Sequence, residues 1–484
     1  MLSVDPFPTW SENLTVRIRI IWVALLVLMA TTALGMAWDP WLTFGVLIGS
    51  SLFGFTVIWP LGVITLMLAI GPLDLSFLTG GFKTMFVPLG GLDMNGIRLI
   101  FVSAGLALVI FSERHYWRRM KSQQVRWYVV FLVFAASTLF ISEDPLEGLR
   151  LLLKLAWPLW IFLVVSAPGR TYAEVDRMVD WLLIGAAILI VINPLFVLLG
   201  DVYVEASGEV RLMGAGTHQN PFSFAMLVVL LVSLGRFTSR TQTRYLILAF
   251  GAVAWIALTL TRITFLAAAV SLASVAFYAA FTRKNHKAAV IGIVATTVLV
   301  LALAPIMLER TFGVVPSFEE LYELIRDPVA LYQSINWSGR ELFWAALTLE
   351  WMTSPWLGLG LGSSTVILTA LFPADMGLVA HNEYIRLGTD TGFVGIGLFA
   401  IAMLAWLRIA LKEGRNPNPH VQELALPALA ILISWGVISL TDNAFDYYGP
   451  LTQFSGFFVA GCLVAGASFR SRQDSPIRSG QADR

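Results

Sequence analysis

The sequence predicts an all-α polytopic membrane protein with 12–14 transmembrane helices and a long outer loop containing short helices. Three observations carry this expectation. Hydrophobic residues make up 57% of the 484-residue chain and charged residues only 13%, about half the charged share of a soluble domain. Mean hydropathy is +0.76. Fourteen apolar stretches recur along the chain, most of them near the ~20 residues that carry a helix across a hydrocarbon core.

In order, the stretches lie near 18–37, 41–57, 59–76, 97–113, 127–142, 148–167, 178–200, 222–235, 245–260, 263–281, 288–306, 392–407, 424–440 and 451–469. Pro60 separates the second from the third, and one broken span plus a re-entrant piece is the alternative there, hence the range of 12–14. Lys and Arg give the orientation, because short cytoplasmic loops are rich in both. One set of alternate loops, from Arg17 and Arg19 to the tail beyond Arg470, holds 22 of the 32 basic residues. That set is expected to face the cytoplasm, with both termini inside and the candidate site on the outer face.

The chain then divides into N-terminal spans (1–200), central spans (201–306), a periplasmic subdomain (307–391), C-terminal spans (392–469) and a polar tail (470–484). The segment 307–391 is too long for a plain connector. No cleavable signal peptide is expected at the N-terminus. The single cysteine, Cys462, excludes an intrachain disulfide framework. A net charge of +1 gives no reason to expect a nucleic-acid partner. No cofactor is expected. No DxD pair and no His–carboxylate cluster has metal-ligand spacing.

Few cations remain on the outer face, so each candidate there is weighed individually. Arg211 lies in the loop Glu209–Pro221 with Gly214, Gly216, His218 and Asn220; a guanidinium is a forked donor suited to phosphate. Arg262 sits between two apolar runs, where a charge faces an internal cavity or snorkels to headgroups. Ser338, three residues before Glu341, reads as a capping box. The box starts a helix running to about Met352, with Arg340 in its first turn beside free N–H groups. Gly358, Gly360 and Gly362 follow as a flexible alternation. His381, in Ala380-His381-Asn382-Glu383-Tyr384, is a side chain able to trade a proton near neutral pH. Thr441, Asp442, Asn443 and Asp446 form a carboxylate-bearing last outer loop that orients a histidine, binds sugar hydroxyls or is a plain solvated turn. Arg150 and Lys154, one turn apart near an outer span end, are further candidates for a basic cavity. His115, His286 and His420 fall in cytoplasmic loops and are set aside.

His381-Asn382, nine residues, then Gly392-Phe393-Val394-Gly395 is similar to the His-(Asn/Ser/Gln)-x9-Gly-x-x-Gly pattern of the O-antigen ligase/O-antigen polymerase family of bacterial membrane glycosyltransferases. Arg262 with Leu266 resembles that family's Arg-x3-Leu element. The resemblance covers roughly residues 200–440. It implies a metal-independent, inverting transfer of the GT-C type from an undecaprenyl-diphosphate-linked glycan donor. Arg211, Arg262 and Arg340 would hold the diphosphate, and His381 would activate the acceptor hydroxyl. His218, Asn220, Ser338, Asn382, Tyr384 and Asp442 are the expected substrate-binding residues. The acceptor is a glycan: lipid A–core sugar for a ligase, another repeat unit for an O-antigen or exopolysaccharide polymerase. A transporter or flippase of lipid-linked sugars is the reading from another class, and a non-catalytic assembly scaffold is a third.

Overall fold

The computed structural model describes residues 40–70, 94–198, 202–204, 210–212, 219–283, 286–373, 379–446 and 451–473. The expected span at 18–37 and the tail beyond 473 lie outside them. The chain is an all-α, multi-pass membrane protein. Its helices are α1 (Pro40–Ile58), α2 (Pro60–Ile70), α3 (Met94–Ser112), α4 (Arg114–Met120), α5 (Gln123–Ser137), α6 (Pro145–Val165) and α7 (Tyr172–Leu198). A small hairpin follows, β1 (Val202–Val204) and β2 (Val210–Leu212). Then come α8 (Gln219–Arg240), α9 (Thr243–Thr259), α10 (Arg262–Arg283), α11 (His286–Phe312), α12 (Phe318–Arg326), α13 (Pro328–Ser334), α14 (Arg340–Trp351), α15 (Ser363–Leu371), α16 (Glu383–Gly414), α17 (Pro419–Ile438) and α18 (Gln453–Gln473).

Every expected span within the described residues coincides with a helix. Among the described residues eight helices are long and apolar enough to cross a membrane, or nine if α3 and α4, bent by 95° at their junction, count as one. Of the stretch 59–76, residues 71–76 lie outside the described residues. Its helix α2 has 11 residues, about 17 Å at 1.5 Å per residue, which is roughly half a ~30 Å hydrocarbon core. Pro60 has no N–H to continue α1, so the chain restarts there. The segment 307–391 is also narrower than expected: α11 runs on to Phe312 and α16 starts at Glu383. Four short helices, α12–α15, do occupy the interval.

α18 is buried along nearly its whole described length and packs on α6, α7, α16 and α17. Water does not drive helices together in lipid, so close side-chain packing has to hold the bundle. Trp406 of α16, fully buried, stacks between Tyr128 of α5 and Phe162 of α6, with ring centroids 4.8 and 5.5 Å away. At one end of the bundle the basic loops are neutralised. Arg236, fully buried, pairs with Asp176 and, at 3.0 Å, with Glu423. Arg240 reaches the same two carboxylates, tying α7, α8 and α17 together. The other end carries the 313–382 segment and is called the loop end below.

Two glycine positions seat that segment. Gly392 breaks α16 with φ +64° and ψ −172°. The break lets Phe393 and Val394 donate their N–H groups to Pro355 and Trp356 carbonyls, at 2.9 and 3.1 Å. A Cβ at Gly392 would stand 2.2 Å from the Trp356 oxygen. Gly360 has φ +105°, and a Cβ there would lie 2.5 Å from the Ser142 backbone. The 358–362 run is therefore a tight wedge between α16 and the start of α6, not the flexible alternation expected. Gly360→Ala is expected to lower stability by about 2 kcal/mol or more, from backbone strain and overpacking together. Gly397→Ala, on the same helix as Gly392 but with open space around its Cβ, is expected to be neutral or slightly stabilising. Thermal unfolding in detergent compares the two.

Candidate functional site

The loop end gathers the candidates from five separate stretches of sequence. His381 precedes α16, whose N-cap Asn382 accepts a hydrogen bond from the Ile385 N–H at 3.0 Å. Asn382 also donates to the Leu440 carbonyl at 2.8 Å, and Glu383 N–H donates to Ser439 O at 2.9 Å. These bonds sew the histidine segment onto the loop after α17. Consequently His381 Nδ1 stands 3.5 Å from Asp442 Oδ1, at the long limit of a hydrogen bond.

Asp442 is completely buried. Its other oxygen accepts from Asn220 Nδ2 at 2.6 Å, and Oδ1 also accepts from the Asn443 N–H at 2.9 Å. Burial alone would push its carboxyl up. The hydrogen bond and charge of His381, with the Arg340 guanidinium, overturn this and hold it below the usual carboxylate range. Asp442 is therefore an anion facing His381. A carboxylate on Nδ1 fixes the tautomer in which Nε2 is the proton acceptor. Asn220 and Asp442, expected to touch substrate, are instead buried against each other, behind the histidine. The Asn443 side chain is 1% exposed and both its polar atoms lack a hydrogen-bond partner among the described residues.

Arg340 opens α14, and its Nη1 donates to the Thr441 carbonyl at 2.5 Å, one residue from Asp442. The expected capping box is corrected. Gly339, in left-handed conformation, is the N-cap of α14, and no side chain caps it. Ser338, itself at φ +59°, lies one position too early and turns to Arg262, whose Nη2 is 3.5 Å from its Oγ. A capping box does form in this segment, but at Ser317 and Glu320 of α12. Arg262 donates from Nη1 to the Arg310 and Asn336 carbonyls at 3.1 and 2.8 Å. It thus fastens the start of α10 to the loop that presents Arg340. Tyr384, half-buried, donates to the Gly436 carbonyl at 2.9 Å. Arg211 lies on β2 opposite Tyr203; its side chain, His218 and the glycines at 214 and 216 lie outside the described atoms.

Four non-glycine residues have left-handed backbone among the described residues: Thr241, Leu260, Ser338 and His381. Three of them are at the loop end, next to or at Arg262, Arg340 and His381. Strained backbone persists where surrounding structure enforces it, and it clusters at functional sites.

Behind the site lies an ion network that the sequence reading did not assemble. Arg386 donates to Glu383 at 2.6 and 2.9 Å and pairs with Asp446 at 2.8 Å. Lys154 reaches Asp446 at 2.8 Å, and Phe445 N–H donates to Glu383 at 3.3 Å. Burial would raise the Asp446 carboxyl, but Arg386 and Lys154 hold it well below its ordinary range. Lys154 is thus committed to a carboxylate, and Arg150 pairs with Glu147 at 3.2 Å. Neither is a spare cation for a basic cavity. The scarcity of outer-face cations singles out Arg262 and Arg340. It admits Arg310 and Arg386 equally, and that signal was there to be used. Among the described residues no three His, Cys, Asp or Glu side chains are grouped to hold a metal ion.

The loop end therefore combines an oriented imidazole, a buried carboxylate behind it and two guanidinium groups held in place by backbone carbonyls. Such a set can accept a proton from a hydroxyl and stabilise an anionic leaving group. The chain matches no protein-family model and no curated protein.

Proposed function

We propose that this protein is a membrane glycosyltransferase that moves a glycan from an undecaprenyl-diphosphate carrier to a sugar hydroxyl, on the outer face of a bacterial inner membrane. The observation that carries the reading is the Asn220–Asp442–His381 array beside Arg340, at the end of an apolar bundle. His381 Nε2 takes the proton of the acceptor hydroxyl. The hydroxyl oxygen forms the new bond to the anomeric carbon, and the bond from that carbon to the diphosphate oxygen breaks. The diphosphate leaves with the electron pair, and Arg340 and Arg262 stabilise its growing charge, as preorganised cations do in water-poor sites. Asp442 stabilises the imidazolium that forms. Attack opposite the leaving group inverts the anomeric centre.

An O-antigen ligase, with lipid A–core as acceptor, is the first assignment, for the histidine pattern. A polymerase with the same donor is the alternative. The transporter reading is weaker because sites in such folds lie near the bilayer midplane between repeats, whereas these residues lie at a helix end. Orientation is testable directly. A reporter fused after residue 330, within α13 and ahead of the Arg340 turn, is expected to read as periplasmic. A cytoplasmic reading would put the site on the wrong side for an exported carrier and end the proposal. Proteoliposomes that translocate the lipid-linked glycan without making a glycosidic bond would replace it with the transporter reading.

A further inference from the structure

A second feature lies alongside α14. A shallow, largely open cleft of about 530 Å³ runs along this helix between α13 and α16. Tyr332, Glu341, Trp344, Thr348, Met352 and Ile385 line it. Glu341 is the residue after Arg340, so the cleft begins where the proposed reaction site ends. Trp344 is tied to the other side of that site: its Nε1 donates to the carbonyl of Ala380, the neighbour of His381, at 2.8 Å.

The lining has a chemistry of its own. Glu341 Oε2 is shut off from solvent and has no hydrogen-bond partner among the described residues. A buried carboxylate oxygen without a donor is costly, and a turn of the carboxyl about its terminal bond brings it to the cleft, where a bound hydroxyl satisfies it. Aromatic rings stand beside it in a fixed ladder. The centroids of Tyr332 and Trp337 are 5.2 Å apart, as are those of Trp337 and Trp344. Trp337 is itself pinned by a 2.8 Å bond from Nε1 to the Tyr332 carbonyl. Rigid aromatic faces bury an apolar surface at low entropic cost, and the C–H face of a sugar ring is such a surface. Among the described residues no Lys or Arg lines the cleft. A diphosphate gains nothing there and meets a carboxylate.

We propose that this cleft is the acceptor subsite: it holds the sugar of the acceptor glycan, stacked on Tyr332 and Trp344, with a hydroxyl donating to Glu341. This rests on the transferase reading for what the bound glycan does next, but not for whether it binds. The two anionic and neutral halves of the reaction are thereby separated by charge. The cation-bearing side at Arg262 and Arg340 takes the donor diphosphate, and the cation-free side at Glu341 takes the uncharged acceptor hydroxyls.

The test joins a binding measurement to a kinetic one on the full-length protein in detergent. Tryptophan fluorescence is titrated with delipidated core oligosaccharide, and in a second arm with the lipid-free repeat-unit oligosaccharide, for wild type, Glu341→Gln, Tyr332→Ala and His381→Ala. Glu341→Gln and Tyr332→Ala are expected to weaken binding on the order of tenfold or more, and His381→Ala, which removes only the contact with the reacting hydroxyl, to weaken it less. In the transfer assay the first two variants raise the acceptor KM and leave the donor KM alone. Tight binding in one arm only says whether core sugar or repeat unit is the occupant. Unchanged binding and acceptor KM in both Glu341→Gln and Tyr332→Ala overturns the proposal, as does a rise in donor KM alone. If no variant or wild type transfers glycan, yet the oligosaccharide still binds and Glu341→Gln still weakens it, the cleft assignment stands and the transferase reading falls.

Discussion

Replacing His381 with alanine is expected to lower the turnover of glycan transfer by about 10²–10⁴-fold, the usual contribution of a positioned general base. Asp442→Asn is expected to cost about 10²-fold or more by the same route. The amide would present an N–H either to His381 or to the donors Asn220 and Asn443, which now all point at a carboxylate. Both effects fall on kcat. The donor KM should move by no more than about twofold, because neither residue is placed to touch the diphosphate before the bond breaks. A variant that merely failed to fold would lose donor binding as well. Single-turnover rates with donor titration separate the two cases. Equal losses in donor affinity would move His381 and Asp442 from chemistry to structure.

The second large effect is on stability. Arg386→Ala is expected to cost about 3–5 kcal/mol, because it removes the cation and leaves the Glu383 carboxylate buried without its charged partner. Glu383 is wholly buried and takes two bonds from this one guanidinium, while Asp446 shares it with Lys154. Lys154→Ala is expected to cost clearly less, since Asp446 keeps Arg386. Thermal unfolding in detergent measures both, and equal shifts would show that the network is not centred on Arg386. The acid dependence follows from Asp442 and Asp446, both held below the ordinary carboxylate range. A depressed folded value means the unfolded chain takes up protons first. Their stabilisation is therefore complete above the unfolded value near ~4 and is lost as pH falls through the folded one.

How much of this was legible in the sequence depends on the range of the interaction. Span positions were legible because membrane insertion demands a long apolar run, a local property. The end of the bundle carrying His381, Arg262 and Arg340 was legible too, since alternating spans must return to the same face. Pairings across long stretches of chain were not. Asn220 and Asp442 meet over 222 residues and Lys154 and Asp446 over 292, and no spacing rule announces either. Each looked like a ligand contact because an isolated polar residue at a span end looks the same whether it faces a substrate or a carboxylate. Local chemistry also misled where two local rules competed. Ser338 with Glu341 satisfies the capping-box pattern, but Gly339 adopts the left-handed cap at lower cost and takes the position. The glycines at 358, 360 and 362 suggested freedom, whereas φ values of +72°, +105° and +92°, and neighbouring backbone that an added Cβ would meet within 3 Å, leave no room there for a side chain.

The most direct measurement is transfer itself, with purified protein in detergent, undecaprenyl-diphosphate glycan, and either lipid A–core or no added acceptor. The account predicts glycan on lipid A–core, or a ladder of longer lipid-linked glycans in the tube without acceptor. It also predicts that EDTA leaves the rate unchanged and that His381→Ala abolishes the product. No new glycosidic bond in either tube, from protein that is folded and correctly oriented, would contradict it.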